Sequence, residues 1–197
     1  HRCAPGRVCP TLPTVNDAPT SDETLMRAYA ASDDDAFAQL YARHRGPLYR
    51  FIVRGLGDRA VAEEIYQETW MRVIQARARW QPQARFSTWL TQIAANLVID
   101  AHRRTRPTAG GAETEAVLAQ LDAPAEQRPD QELGRFEQAR RLQQALAALP
   151  SEQRVAFLMR AEQGMGVDAI AEATGVGHET AKSRLRYAFA RLREYLQ

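Results

Sequence analysis

The stretch RARWQPQARFSTWLTQIAANLVIDAHRRTR, residues 77–106, decides the fold of the first half of the chain. Apolar side chains recur in it at helical spacing, which predicts one long helix with a buried stripe and a polar face. A basic loop with Trp80 and Phe86 precedes this helix. The stripe is formed by Trp89, Leu90, Ile93, Ala94, Leu97, Val98 and Ala101. The polar face carries Ser87, Thr88, Thr91, Gln92, Asn96, His102 and Arg103.

The charge of this stretch is concentrated and positive. Between Arg72 and Arg106, seven arginines accompany one acid, Asp100, in a chain whose formal net charge is +2. This bias favours binding of a polyanion, and aromatic rings beside arginines suit unpaired bases, which offer a π-face for stacking. A solvated arginine-rich face is the alternative, and Trp89 and Phe86 also suit a buried core. Composition alone therefore leaves nucleic-acid binding open.

The rest of the first half also has helical patterns, so residues 22–106 are predicted to form an all-helical domain. Ser32 or Asp33 is suited to cap a helix that ends at Gly46, and Pro47 is suited to open the next one. Asp58 is predicted to cap a third helix. Residues 1–21 are rich in proline and small polar residues, and we predict a disordered leader.

The second half begins with an acidic segment. From Pro107 to Gln138 the chain holds seven acids and two bases, together with many Pro, Gly and Ala residues, so residues 107–134 are predicted to be a flexible acidic linker. Fully extended, these 28 residues would reach about 90 Å. Residues 135–197 return to helical patterns and are predicted to form a second small helical domain.

The most specific pattern is VDAIAEATGVGHETAKSRLRYAFARL, residues 167–192. A short helix with a buried Ala171 is followed by a turn at Gly175 and by a longer helix, which predicts a helix-turn-helix. Its second helix would present its first residues to the major groove of DNA while the first helix braces it. A helical hairpin in a protein-interaction module is the alternative.

Four stretches together resemble one protein family. Residues 149–194, LPSEQRVAFLMRAEQGMGVDAIAEATGVGHETAKSRLRYAFARLRE, look like the fourth domain of sigma factors of the extracytoplasmic-function group of the sigma-70 family. Residues 37–58, FAQLYARHRGPLYRFIVRGLGD, resemble the opening helices of that family's second domain. Residues 57–74, GDRAVAEEIYQETWMRVI, resemble its polymerase-binding helix, and residues 85–104, RFSTWLTQIAANLVIDAHRR, resemble its promoter-melting helix.

The resemblance implies an all-α fold of two domains, a sigma-2 helical bundle and a sigma-4 helix-turn-helix, and three sets of contact residues. For the clamp helices of the largest polymerase subunit, the set is Glu64, Gln67, Glu68, Thr69 and Arg72. For the −10 promoter element, it is Arg79, Trp80, Arg85, Phe86, Ser87, Thr88, Asn96, Arg103 and Arg104. For the −35 element, it is His178, Thr180, Lys182, Ser183, Arg186 and Tyr187.

The partners that the resemblance implies are core RNA polymerase, at the clamp helices and at the flap of the second-largest subunit, promoter DNA, and an anti-sigma factor. The linker would enter the active-site channel of the polymerase. We expect no cofactor, no metal site and no enzymatic activity, because the sequence has no nucleophile, paired carboxylates or metal-ligand cluster that would support chemistry. A cytoplasmic location is expected, because no apolar run approaches the roughly 18 residues of a membrane span and no secretory signal is visible.

A sigma factor would need to span two promoter elements that lie roughly two DNA turns, or about 70 Å, apart. We further expect the isolated protein to bind DNA weakly, because the two domains would pack together and mask their basic faces. Two other functions are the alternatives: a stand-alone helix-turn-helix regulator that binds DNA as a dimer, and an anti-sigma-like or scaffold protein that makes only protein contacts.

Overall fold

The computed structural model of the protein describes residues 20–105 and 129–196. Every regular element within these ranges is an α-helix, which confirms the all-α prediction. The helices are α1 (Asp22–Ala30), α2 (Asp34–Leu56), α3 (Arg59–Ala76), α4 (Phe86–Thr105), α5 (Pro129–Ala147), α6 (Ser151–Gln163), α7 (Val167–Thr174) and α8 (His178–Leu196). Helices α1–α4 are called the first helical domain below, and α5–α8 the second.

The first helix of the second half begins before the predicted domain boundary at residue 135. Helix α5 begins at Pro129 and therefore includes residues that the sequence assigned to the linker. The remainder of that linker, residues 107–128, and nearly all of the predicted leader lie outside the described residues.

Helix α1 is a separate element that the sequence analysis did not distinguish. The Ser21 side chain accepts a hydrogen bond from the Thr24 N–H at 3.2 Å and so caps the helix. Leu25, Met26 and Tyr29 are buried on one side, at the spacing of a single helical face. This face docks α1 on α2 and α4.

Helix α2 is continuous, so the prediction of a break at Gly46-Pro47 was wrong. Asp33 caps its start by accepting from the Ala36 N–H at 3.2 Å, and Pro47 lies inside the helix. A proline in a helix interior costs about 3 kcal/mol. Both halves of α2 bury apolar side chains in the same core, including Leu40 before the proline and Phe51 after it. This shared burial offsets the local cost.

Glycine and aspartate shape the connection to α3 as predicted. Gly57 ends α2 in the left-handed region, with φ 78°, and Asp58 accepts hydrogen bonds from the Ala60 and Val61 N–H groups. Ile65, Trp70 and other apolar side chains of α3 then face the core.

The two helical domains are in direct contact. Helices α6 and α7 pack on α4, and α5 and α6 pack on α2, so the buried apolar side chains form one cluster. Helix α4 is also buried outside the predicted stripe, at Thr91, Ala95 and Ile99. The described part of the protein is therefore a closed arrangement with α4 near its centre.

Candidate nucleic-acid interface

The helix-turn-helix has the geometry that the sequence predicts. Ile170 and Ala171 of α7 are buried, and Gly175 makes the turn in the left-handed region, with φ 65°. The Val176 N–H donates to the Ala171 carbonyl at 3.0 Å and closes the turn. Helix α8 follows at His178 and packs on α6 and α7.

Helix α8 presents most of its predicted contact residues to solvent. Its inner face is formed by Ala181, Leu185, Ala188 and Leu192, all of which are buried. The exposed members of the predicted set are His178, Thr180, Lys182, Arg186 and Tyr187, and Ser183 is half-buried. A helix held from behind, with a polar and basic outer face at its start, can enter a major groove.

Several contacts order this outer face. His178 Nδ1 lies 2.5 Å from the Asp168 carboxylate of α7, which links the starts of the two helices. The Arg186 guanidinium lies 5.1 Å from the centre of the Tyr187 ring. The bond between His178 and Asp168 was missed by the sequence analysis, because nothing in the sequence shows which acid faces the histidine.

The predicted −10 residues surround the start of α4. Arg79 and Arg85 are exposed, whereas Trp80, Ser87 and Thr88 are half-buried. The centres of the Trp80 and Trp89 rings lie 6.2 Å apart, so the loop packs against the start of α4. An exposed arginine pair around a partly exposed aromatic ring is an arrangement that can stack an unpaired base.

Phe86 is a core residue and not a contact residue. Its side chain is 0% exposed, and its ring packs against His44 and Trp89 at centroid distances of 5.2 and 5.9 Å. Its assignment to the −10 set is corrected, because a fully buried ring is not accessible to a base. The structure supports the core role that the sequence also allowed for Phe86.

The far end of α4 carries the remaining −10 residues. Arg103 and Arg104 are exposed, and Asn96 is half-buried. Arg103 lies 3.7 Å from Asp100, and Arg104 Nε donates to the Asp100 carbonyl at 3.4 Å. Both guanidinium groups keep free donors toward solvent and are accessible to phosphate.

The outer face of α3 is polar. Glu64, Gln67, Glu68 and Arg72 are exposed, with Arg72 Nε 2.9 Å from Glu68.

Thr69 must be removed from the predicted polymerase set. It is 0% exposed, and its hydroxyl donates to the Ile65 carbonyl at 2.7 Å within the helix. Met71 was missed by the sequence analysis, although it is 49% exposed beside Arg72. In the sequence, the one sign that Met71 would be exposed is that it lies outside the apolar stripe of α3. A single exposed apolar side chain is common on protein surfaces, so Met71 does not by itself mark a binding site.

The contact between the domains centres on a buried arginine. Arg154 of α6 is 7% exposed, and its guanidinium donates to the carbonyls of Gly55, Ala147 and Leu149 at 3.1, 2.7 and 3.1 Å. Gly55 lies in the last turn of α2, and Ala147 ends α5. The carbonyl ends of helices carry partial negative charge, so one cation stabilises two helix ends, one from each domain.

One ion pair adds to this contact, and one hydrogen bond lies beside it. Arg54 of α2 pairs with Glu162 of α6 across the domains, whereas His102 of α4 donates from Nε2 to the Gly55 carbonyl at 2.9 Å within the first helical domain. Burial lowers the pKa of His102 below its ordinary value, and the charge of Arg154 acts in the same direction. The hydrogen bond to Gly55 acts in the opposite direction, but burial is the larger effect and favours the neutral form of His102 in the folded protein.

The expected masking of the basic faces is only partly correct. The domains do pack together, and they cover part of α4. The predicted outer face of α8 and the arginines at the end of α4 nevertheless remain exposed. The contact between the domains therefore leaves these two surfaces accessible to solvent.

Two further observations concern the described residues alone. No group of three or more His, Cys, Asp or Glu side chains in residues 20–105 and 129–196 is arranged to hold a metal ion. None of the helices in these ranges is long and apolar enough to cross a membrane.

Comparison with known protein families gives two matches, in the order in which the domains occur. The model of Sigma-70 region 2 matches residues 40–108, and the model of Sigma-70, region 4 matches residues 139–192. The first match contains α3 and α4, and the second contains the helix-turn-helix.

Curated relatives match almost the whole chain. The RNA polymerase sigma factor CarQ of Myxococcus xanthus is 32% identical over 171 residues, which are 87% of this chain and 95% of CarQ. The ECF RNA polymerase sigma factor SigE of Mycolicibacterium smegmatis is 32% identical over 90% of this chain and 70% of SigE. The ECF RNA polymerase sigma factor SigM of Mycobacterium tuberculosis is 31% identical over 95% of this chain and 91% of SigM.

Solved structures share the fold. CnrH, solved in complex with the cytosolic domain of CnrY, has a TM-score of 0.61 at 21% identity, over 89% of this chain and 97% of CnrH. RpoE of Bartonella quintana, solved with the anti-sigma factor NepR, has a TM-score of 0.59 at 21% identity, over 81% of this chain and 96% of RpoE.

Proposed function

The chain belongs to the extracytoplasmic-function group of the sigma-70 family of RNA polymerase sigma factors, proteins of transcription initiation, and on this premise we propose how it engages its partners. Core RNA polymerase binds the outer face of α3, and promoter DNA binds at two places. The start and end of α4 hold the −10 element, while α8 reads the −35 element.

The observation that carries the proposal is the outer face of α8. It belongs to a helix-turn-helix, it is exposed although the domains are docked, and it starts with polar and basic side chains such as Lys182 and Arg186. Such side chains reach the base edges and phosphates of a major groove. A scaffold that makes only protein contacts would have no use for this arrangement.

At the −10 element, the chain supplies positive charge and aromatic surface. Arg79 and Arg85 attract the phosphates of the strand, and Trp80 offers a ring for one unpaired base. Opening the duplex costs a few kcal/mol per unstacked base, and stacking returns about 1–3 kcal/mol per base. Arg103 and Arg104 hold the adjoining strand, so that capture of one or two bases nucleates melting and the polymerase contributes the rest.

The proposal requires the two domains to separate. A compact chain of 197 residues has a radius of gyration of about 16 Å, so the closed arrangement is too small to cover elements about 70 Å apart. The chain from Thr105 to Pro129 reaches about 80 Å at most when extended. Separation breaks the bonds that join Arg154 to Gly55 and Arg54 to Glu162, and the contacts with polymerase offset this cost.

The partner proposals can be tested together by adding the full-length protein to purified core RNA polymerase. A stable one-to-one complex that protects both promoter elements is the expected result. The stand-alone regulator predicts tight dimeric binding to a palindromic site without polymerase, which would contradict the proposal. An anti-sigma factor remains a proposed partner on the basis of family membership, and co-purification of a protein that competes with polymerase would support it.

A further inference from the structure

The start of α4 is held by a side chain from another helix. Oε1 of Glu23, in the first turn of α1, accepts a hydrogen bond from the backbone N–H of Phe86 at 3.0 Å. Phe86 is the first residue of α4, and the first N–H groups of a helix have no partner inside it. The preceding residue, Arg85, has no acceptor in its side chain. Glu23 therefore acts as a cap for α4, although it lies 63 residues away in the chain.

Glu23 is itself fixed by its neighbours. Ser21 caps α1, and the adjacent Asp22 accepts from Arg43 at 2.9 Å and lies 2.7 Å from His44 Nε2. The His44 ring in turn packs against the Phe86 ring. Two consecutive acids thus bind the start of α1 to two different helices, since Asp22 contacts α2 and Glu23 contacts α4.

The capped residue controls the position of the loop before it. Phe86 is fully buried against Trp89, and Trp89 lies beside Trp80 of the loop. Arg85 is the residue directly before Phe86 and is joined to its backbone nitrogen. A displacement of this N-terminus would therefore shift Arg85 directly and Trp80 through the ring contacts.

We propose that Glu23 is a positioning residue for the −10 element: by capping α4 through the Phe86 N–H, it fixes the geometry of the loop at residues 79–85. This inference rests on the proposed function of that loop. Glu23 does not itself hold DNA, because its negative charge would repel phosphate. The Phe86 bond also lowers the pKa of Glu23, so the carboxylate that makes the cap is ionised at neutral pH.

The cap can be tested first in the free full-length protein. Glu23→Ala removes the acceptor, whereas Glu23→Gln keeps an oxygen at the same place. Asp35→Ala is the matched control, because Asp35 is an exposed acid in the first turn of α2. Hydrogen exchange of the Phe86 amide, measured by NMR, should become about fivefold faster in Glu23→Ala, the factor expected for a lost cap. It should stay near the wild-type rate in the other two variants.

The positioning role is tested in the reconstituted holoenzyme. The measured quantity is the ratio of open complexes on a matched promoter to those on promoters with one base changed in the −10 element. We expect Glu23→Ala to reduce this ratio about fivefold without changing the affinity for core polymerase, and Glu23→Gln to restore it. A cap that only stabilises the fold would lower the melting temperature and leave the base preference unchanged.

The outcomes separate the two proposals. Unchanged Phe86 exchange in Glu23→Ala overturns the cap, and faster exchange with unchanged base preference overturns the positioning role. If wild-type protein gives no open complexes with core polymerase, the proposed function is refuted. The positioning role of Glu23 is then refuted too, because it rests on that function. The exchange measurement then still decides whether Glu23 caps α4.

Discussion

Replacing Arg154 by methionine should open the closed arrangement. The side chain is almost completely buried and donates to three carbonyls, of which only that of Gly55 belongs to the first helical domain. Methionine fills much of the same space but donates no hydrogen bond. The substitution therefore removes the bond between the domains and two bonds within the second one.

The size of the effect follows from these bonds. A hydrogen bond to a charged group contributes about 2 kcal/mol, so loss of the Gly55 bond should raise the ratio of separated to docked domains roughly thirtyfold. Losing the bonds to Ala147 and Leu149 should lower the free energy of unfolding of the second domain by about 4 kcal/mol. Because this loss could unfold that domain, a milder variant is needed beside it.

Glu162→Gln is the milder variant, since it affects only the ion pair with Arg54. Arg54 is 36% exposed, so solvent screens the pair and the expected loss is about 1 kcal/mol, or fivefold in the same ratio. Fluorescence energy transfer between dyes on the two domains measures separation, and X-ray scattering measures the radius of gyration. Unchanged transfer in both variants, with circular dichroism showing intact helices, would refute the role given to this contact.

Three further changes test the DNA surfaces and the burial of His102. Arg103→Ala combined with Arg104→Ala should lower open-complex formation at least about tenfold, since two charged contacts are lost, while polymerase affinity in a binding titration stays within about twofold; equal losses in both would argue against a DNA role. Lys182→Glu should weaken protection of the −35 element by about tenfold or more, and an unchanged footprint would contradict the assignment of α8. Since burial lowers the pKa of His102 in the folded protein, the unfolded chain takes up a proton first as the pH falls below about 6.5. Thermal unfolding should therefore show lower stability at pH 5.5 than at pH 7.5, and His102→Gln should reduce this dependence; the same slope in wild type and variant would exclude His102 as its cause.

Local signals in the sequence were sufficient for much of the fold. The cap at Asp58 and the turn at Gly175 were predicted correctly, because each follows from the preference of one residue for one backbone position. The break at Pro47 was wrong for a reason outside the local sequence. The cost of the proline is offset by burial of both halves of α2 in one core, and this burial depends on helices far along the chain.

The candidate site likewise has features that the local sequence predicts and features that depend on residues far away in the chain. The exposed face of α8 follows from helical periodicity, which also predicts its buried side correctly. The roles of Glu23 and Arg154 could not be predicted, because each bonds to backbone groups far away in sequence. Burial of Ile99 was missed for a related reason: the periodicity of α4 shows that the helix has a core side, but not that helices of both domains pack around it.

The central claim is that this chain directs core RNA polymerase to its promoters. The most direct test is transcription in vitro with purified core enzyme, the full-length protein and fragmented genomic DNA of the organism that encodes it. The 5′ ends of the transcripts are then mapped. With the protein, we expect new, discrete start sites that share upstream sequences at two places about 70 Å apart along the duplex. The same 5′ ends with and without the protein would contradict the central claim.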